Sequence, residues 1–430
     1  MNRSPSTSLL YVASVCIPFD FAFTLGGVRV TPTEVLFSLA LVLWLPQLIR
    51  APNVIASSPY FLPLLFFLAA CLLSLFAAEN RFVGLRETVQ FAWLFGVFYF
   101  ISHQAKERVK TLTLWGLLLG AGFVVSLIAL YQYFFVREPV HFLIAETRLR
   151  AHGIYDQPNS FGSYLIGIIF FLFGFYFLAA THAPQVKERR GAAYTIFFNK
   201  KVILASLFIL SAMLVATFSR GSWIGLFCGM AVLYYLLRKK IHNALFARLL
   251  GVMAAAAVLI MTDVYLQPQH SDRSFSDRQR VLLLNVAVQM ARDHPWLGVG
   301  FGNFPDRLPE YATAELMDSM QLDYDKILKT WFVNPNKKPD IEIVHNTLLQ
   351  VVAETGMLGL ATFVWLFFVY YRNALKRLRE SEDQQEYSIR ATALASATAI
   401  FCNGMFGWPF SHGVQEVLMI SLALAISPHH

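Results

Sequence analysis

Residues 200–240 read KKVILASLFILSAMLVATFSRGSWIGLFCGMAVLYYLLRKK. Two apolar runs, about 201 to 218 and 222 to 237, are separated by a short turn whose single charge is Arg220, and Lys or Arg residues stand at both outer ends. A helix that crosses a bilayer needs roughly 20 mostly apolar residues. The stretch therefore reads as a helical hairpin that crosses a membrane and returns, with its basic ends on one side and Arg220 on the other.

Working outward, similar runs occur at about 8 to 25, 31 to 49, 59 to 77, 85 to 102, 111 to 135, 160 to 181, 247 to 265, 344 to 371, 391 to 409 and 412 to 427. With the hairpin they make twelve, which at roughly 20 residues each leave under half of the 430 for loops. Composition agrees: 56% hydrophobic, 15% aromatic and only 14% charged, with a mean hydropathy of +0.51. These values exclude a soluble enzyme and point to an all-α polytopic membrane protein. The first run starts late, has no small-residue cleavage site and is followed at once by another, so it reads as a retained helix and not a signal peptide. Cys16, Cys71, Cys228 and Cys402 all lie inside apolar runs, with no C-x-x-C pair, and read as packing residues.

The net charge of +8 has a membrane explanation. Placing the N-terminus in the cytoplasm puts nineteen Lys and Arg against six Asp and Glu on the cytoplasmic side, a local balance of +13 against −5 for the remainder. Lys and Arg collect in cytoplasmic loops, so the charge is an orientation signal and no nucleic-acid partner is needed. The chain divides into helices 1 to 9 over residues 1–265, a periplasmic loop or lid over 266–343, and helices 10 to 12 over 344–430, with both termini cytoplasmic. The loop is long enough to be a small domain. Two amphipathic helices are expected in it, at about 277 to 292 and 311 to 330, the first with its apolar side on Val281, Leu284, Val288 and Ala291.

The outer face collects cations. Arg220 would be costly at its position without an anion. Arg148 and Arg150 precede the sixth span, and Arg81 and Arg86 flank the start of the fourth. A guanidinium is a planar, permanently charged fork that suits phosphate oxygens; the competing reading pairs each arginine with a nearby carboxylate such as Glu87, Glu146 or Asp156. His345, in the run Ile343-Val344-His345-Asn346, stands where the loop re-enters the membrane, either as an ordinary polar helix end or as a general base. Glu354 and Glu416 are acids within apolar runs, with functional and structural readings both open. Asp323-Tyr324-Asp325 imitates a metal-binding D-x-D, but no metal site is expected there. Gly298, Gly300 and Gly302 read as a tight turn, and the chain has no P-loop, H-E-x-x-H or G-x-S-x-G.

In this order, Phe218-Ser219-Arg220-Gly221-Ser222-Trp223, then Asp293-His294-Pro295-Trp296-Leu297-Gly298-Val299-Gly300-Phe301-Gly302-Asn303-Phe304, then His345-Asn346 with Glu354-Thr355-Gly356, the sequence resembles the O-antigen ligase and polymerase superfamily. The motifs span roughly residues 205 to 370. The resemblance implies a GT-C-like, metal- and cofactor-independent inverting glycosyltransferase of the bacterial inner membrane. It would take an undecaprenyl-diphosphate-linked glycan as donor and, in the ligase reading, the lipid A-core of lipopolysaccharide as acceptor. It maps the essential arginine and histidine onto Arg220 and His345 at a periplasmic site. Arg148, Arg150, Arg86 and Asn346 are the candidate diphosphate or substrate contacts, with membrane lipids around the donor's prenyl chain. Ile224 stands where the ligase pattern has Leu, so a polymerase or a protein O-oligosaccharyltransferase of the same superfamily stays open. From a different class, an anion transporter would use the same arginines for selectivity.

Overall fold

The computed structural model describes residues 4–19, 22–25, 28–50, 55, 57–145, 147–187, 198–266, 274–322 and 343–427. Fifteen helices are present among them. They are α1 (Pro5–Cys16), α2 (Pro32–Arg50), α3 (Phe61–Ser74), α4 (Arg81–Gln104), α5 (Arg108–Phe135), α6 (Pro158–Lys187), α7 (Lys200–Ala216), α8 (Arg220–Leu237), α9 (Asn243–Tyr265), α10 (Ser274–Asp293), α11 (Phe304–Tyr311), α12 (Ala314–Ser319), α13 (Thr347–Arg379), α14 (Gln384–Gly404) and α15 (Val414–Ile426). The twelve apolar runs fall on α1 to α9 and α13 to α15. Six described helices, α2, α5, α6, α8, α9 and α13, are long and apolar enough to cross a bilayer by length and composition.

The first run is a correction. A helix is expected to continue to about residue 25, but α1 stops at Cys16; Ile17 keeps helical backbone as its C-cap, and Pro18 after it has no N–H with which to carry the ladder further. The chain then forms a two-stranded antiparallel ribbon, β1 (Phe23–Leu25) with β2 (Val28–Val30). A second small ribbon, β3 (Leu143–Ala145) with β4 (Arg148–Leu149), lies between α5 and α6.

The centre of the bundle is α6, apolar all round and with 94% of its membrane-length window buried, as expected of a helix surrounded by other helices. It packs on α14 and α7; α14 in turn packs on α15, and α15 on α4. The α8–α14 contact is set by a small-residue stripe, Gly221, Gly225 and Gly229, which lets two backbones approach as in many membrane helix pairs. A methyl group at Gly225 would lie 2.5 Å from the Ala399 carbonyl oxygen, and one at Gly229 would lie 2.6 Å from the Ala399 Cβ. Gly225→Leu is therefore expected to push α8 off α14 at a cost of about 1–3 kcal/mol or more, read as a lower unfolding midpoint in detergent. Gly251→Ala, on α9 where nothing lies within 4 Å, should leave the midpoint unchanged or raise it.

Connections that the charge pattern assigns to one side meet at one end of the bundle. There Ala151 N donates to Ala216 O (2.9 Å), Asn80 N to Asn303 Oδ1 (2.7 Å) and Asn346 Nδ2 to Met405 O (3.2 Å). The opposite end is closed by Arg108 Nη1 to Gln385 (2.6 Å), Tyr387 Oη to Leu236 O (2.9 Å) and Ser427 Oγ to Ser102 O (3.2 Å).

The segment 274–322 has its own apolar core, with Leu282, Val286, Met290, Phe304, Leu308 and Met317 all fully buried. The first amphipathic helix is present as α10, but its buried stripe is Leu282, Leu283, Val286, Ala287 and Met290, and Val281 is exposed. Of the helix expected at 311 to 330, the described part is α12, preceded by a separate helix α11 that ends at Tyr311, and residues 323–330 lie outside the described residues. Thr313 caps α12, its hydroxyl accepting from Leu316 N at 3.3 Å. Asp323 and Asp325 lie outside the described residues, as does Glu146.

Candidate functional site

Arg220 is the first residue of α8. The link from α7 is only Thr217, Phe218 and Ser219, with Phe218 in the left-handed region (φ 52°) and Thr217 Oγ1 accepting from Ser219 N at 3.1 Å. The side chain of Arg220 is 56% exposed and forms an ion pair with Asp277 in the first turn of α10. Arg150 braces the same link, its Nε donating to Thr217 O at 2.8 Å and its Nη2 to Asn159 Oδ1 at 3.0 Å.

His345 is also left-handed (φ 60°) and partly buried. Asn346 follows as the N-cap of α13, its Oδ1 accepting from Leu349 N at 3.0 Å, while Thr347 Oγ1 donates to Gly404 O at 2.7 Å. The start of α13 is thereby pinned to the end of α14. Nine residues in, α13 is interrupted at Gly356 (φ 65°, ψ −167°). Backbone groups freed there are taken up by the loop: Met357 N donates to Pro295 O (2.8 Å), Val299 N to Ala353 O (2.9 Å) and Gly300 N to Glu354 O (2.9 Å). Broken helices are tolerated in membrane proteins where protein re-satisfies the backbone in this way. Gly298, Gly300 and Gly302 all have positive φ, so the expected tight turn is present. A Cβ on Gly298 would lie 2.3 Å from the Glu354 carbonyl carbon, and one on Gly356 would lie 2.3 Å from that of Trp296. Only glycines allow this crossing.

Burial, and then the Arg280 guanidinium, push the His345 imidazole down to about 4. Burial and then the Arg220 guanidinium lower Arg280 itself, while Asp277 acts the other way. Arg280 therefore stands within electrostatic reach of both Arg220 and His345, one helical turn from Asp277 on the same face of α10. The sequence reading missed it. The signal available was its i+3 spacing from an acid at the head of an amphipathic helix, but without the partner helix nothing separated it from its neighbour Arg278.

The other arginines are placed differently. Arg148 makes a two-point pair with Asp263 at the end of α9 (Nε to Oδ2 2.5 Å, Nη2 to Oδ1 2.8 Å), and Tyr133 Oη donates to the same carboxylate at 2.7 Å. Arg86 pairs with Glu87 at 2.5 Å, beside Gly302. Both show the carboxylate pairing that the sequence left open. Glu416 is fully buried and accepts from Gly413 N at 2.8 Å and Gln415 Nε2 at 3.0 Å, closing the start of α15. An open cleft of about 640 Å³ at this end is lined by Ala78, Glu79, Asn80, Arg81 and Asp306.

The α7–α8 turn, the glycine turn and the head of α13 all lie in one stretch of sequence that matches a known family model, described as O-antigen ligase. Residues 205–364 carry the O-antigen ligase match. Within the O-antigen ligase segment lie Arg220, Arg280, His345, Asn346 and Glu354; Arg86, Arg148 and Arg150 precede it. The chain is also 24% identical over 332 residues to the teichuronic acid biosynthesis protein TuaE of Bacillus subtilis (strain 168). That alignment takes in 71% of this chain and 60% of the relative, so it spans less than two thirds of the relative's length. The chain is thus similar over its centre to the O-antigen ligase model and over a longer stretch to TuaE, and six of its described helices are long and apolar enough to cross a membrane.

Proposed function

We propose that the chain transfers a glycan from undecaprenyl diphosphate to a sugar hydroxyl, and that the acceptor is the lipid A-core of lipopolysaccharide. The observation that carries this reading is the Arg220–Asp277 ion pair, which ties the α7–α8 turn to the head of α10, a helix that packs on α13 just after His345, all within the residues matched to the O-antigen ligase model. Arg220 and Arg280 hold the diphosphate, offering fixed guanidinium donors where leaving-group charge develops. Arg150 keeps the α7–α8 turn in shape, and Asn346 caps α13 beneath the histidine. Arg148 and Arg86 bind phosphate only by giving up Asp263 and Glu87, so they are assigned a secondary part. The cleft beside Asn80 leaves room for sugars at the same end.

In the reaction the acceptor hydroxyl gives its proton to His345 and its oxygen attacks the anomeric carbon. The bond from that carbon to the diphosphate breaks, and its electron pair leaves with the phosphate oxygen. A single displacement inverts the configuration and needs neither metal nor nucleotide. Burial and then Arg280 suppress the basicity of His345 in the free protein, and an incoming diphosphate offsets the cation. The base is therefore strengthened when the donor is in place. On this reading the site faces the periplasm, the Lys- and Arg-rich end and both termini face the cytoplasm of a bacterial inner membrane, and the prenyl chain lies among membrane lipids.

A second reading, polymerisation onto another lipid-linked glycan, is favoured by the relative named for teichuronic acid biosynthesis. Both are tested by reconstituting the purified protein in vesicles with an undecaprenyl-diphosphate glycan and each acceptor separately. Product with lipid A-core alone is the expected result. Elongated lipid-linked glycan alone moves the assignment to the polymerase, and no product with either acceptor overturns both.

A further inference from the structure

His345 holds an uncommon backbone conformation for a residue other than glycine. Two buried polar side chains of α13 reach towards it. Gln350 Oε1 accepts from the backbone N–H of Val344, the residue just before His345, at 2.6 Å. Its other end, Nε2, donates to Glu354 Oε1 at 2.7 Å, and the same carboxylate oxygen accepts from Phe304 N, the first residue of α11, at 3.3 Å. Gln350 is 4% exposed and Glu354 2%. Packing at such positions is ordinarily apolar, since buried polar groups are tolerated only when each is hydrogen-bonded. Here both are, and their partners are the chain entering His345 and the chain leaving the glycine turn. The main chain adds to the same link, because the Glu354 carbonyl accepts from Gly300 N.

We propose that Gln350 and Glu354 are positioning residues for the transfer, holding the left-handed backbone at His345 and tying it to the docked glycine turn of the loop. Neither touches substrate; both act through the orientation of the imidazole. The inference rests on the transfer reading given above.

The test compares the full chain with Gln350→Met, which keeps the bulk but leaves the Val344 N–H and the Glu354 carboxylate without their partner. A displacement of about 1 Å at a catalytic group can cost about 10²-fold, so kcat is expected to fall about 10- to 100-fold with the donor dissociation constant within about twofold of the parent. The acid limb of kcat/KM should move up from near 4 towards the ordinary imidazole value of about 6.5, as the ring leaves its buried place beside Arg280. Glu354→Gln, which retains an acceptor oxygen for Phe304 N, should recover much of the activity that Glu354→Leu loses. Should Gln350→Met fail to fold, Gln350→Asn carries the same test, being too short to span both partners.

A folded Gln350 variant with parental kcat and an unmoved acid limb overturns the proposal. So does a variant that loses donor affinity and thermal stability in step with kcat, which marks a role in folding alone. His345→Ala is run alongside. If it is inactive while Gln350→Met is normal, only this inference fails; if it turns over normally, the transfer reading fails and takes the inference with it.

Discussion

Replacement of His345 by alanine is expected to lower turnover about 10²- to 10⁴-fold, the usual contribution of a positioned general base, while donor binding changes little. On the proposed reading the base contributes to the transition state, whereas the guanidiniums assigned to the diphosphate are untouched. The pH profile of the parent protein gives the same group a second signature. In the free protein His345 is lowered to about 4 by burial and Arg280, so it stays unprotonated down to that pH. The acid limb of kcat/KM, which reports the free protein, should lie near 4 and not near the ordinary value of about 6.5. In the donor complex the diphosphate offsets Arg280, so the limb of kcat should lie higher. The measurement is turnover of purified lipid-linked donor across pH, with the protein shown to be folded at each point. Near-parental rates from His345→Ala, or coincident limbs, would remove the base.

Arg220 and Arg280 should behave as a pair with one difference between them. Loss of one preorganised donor to a developing anion costs about 10²–10³-fold in kcat, and Arg220→Ala is expected to show this together with weaker donor binding. Arg220→Lys keeps the charge and loses the two-pronged geometry, so it should bind donor better than the alanine variant yet remain slow. Arg280→Ala should lose rate as well. It also removes a cation that disfavours the protonated imidazole, so His345 should titrate at higher pH and the acid limb of kcat/KM should move up. Burial and then Arg220 lower Arg280, whereas burial and then Arg280 lower His345, so the limb should move less in Arg220→Ala. Equal movement in both would contradict a direct effect of Arg280 on the histidine. An unchanged rate in either alanine variant would take that residue out of the diphosphate site.

The helices were legible because a membrane span writes itself as a long apolar run, and Arg220 because it is the one charge between two such runs. Where α10 buries its face was not. In Arg280-Val281-Leu282-Leu283-Leu284-Asn285-Val286-Ala287-Val288 nearly every position is apolar, so several stripes fit the helical period, and the choice is made by α13 and the glycine turn against which it lies. The end of α1 and the break between α11 and α12 depended on single residues, Pro18 and the capping Thr313, against a background that otherwise favours helix. Arg280 was hidden for a related reason: an arginine on a polar helix face reads as solvated until a second cation and an imidazole are brought near it. The left-handed backbone at His345 was not legible because histidine, though enriched at positive φ among non-glycine residues, is found far more often in ordinary backbone.

The crossing of Gly298 and Gly356 bears on the order in which the molecule comes into being. Ribosomes deliver Val299 and Gly300 fifty-four residues before Ala353 and Glu354, so for that interval their amide hydrogens have acceptors that have not been made. The head of α13 then waits further, since Asn346 and Thr347 bond to Met405 and Gly404. The glycine stripe of α8 can be seated against α14 no earlier. A nascent chain halted before residue 404 thus carries every charged group of the site but has no geometry in which to use them. On the transfer reading, the site would be complete only once the end of α14 has been made.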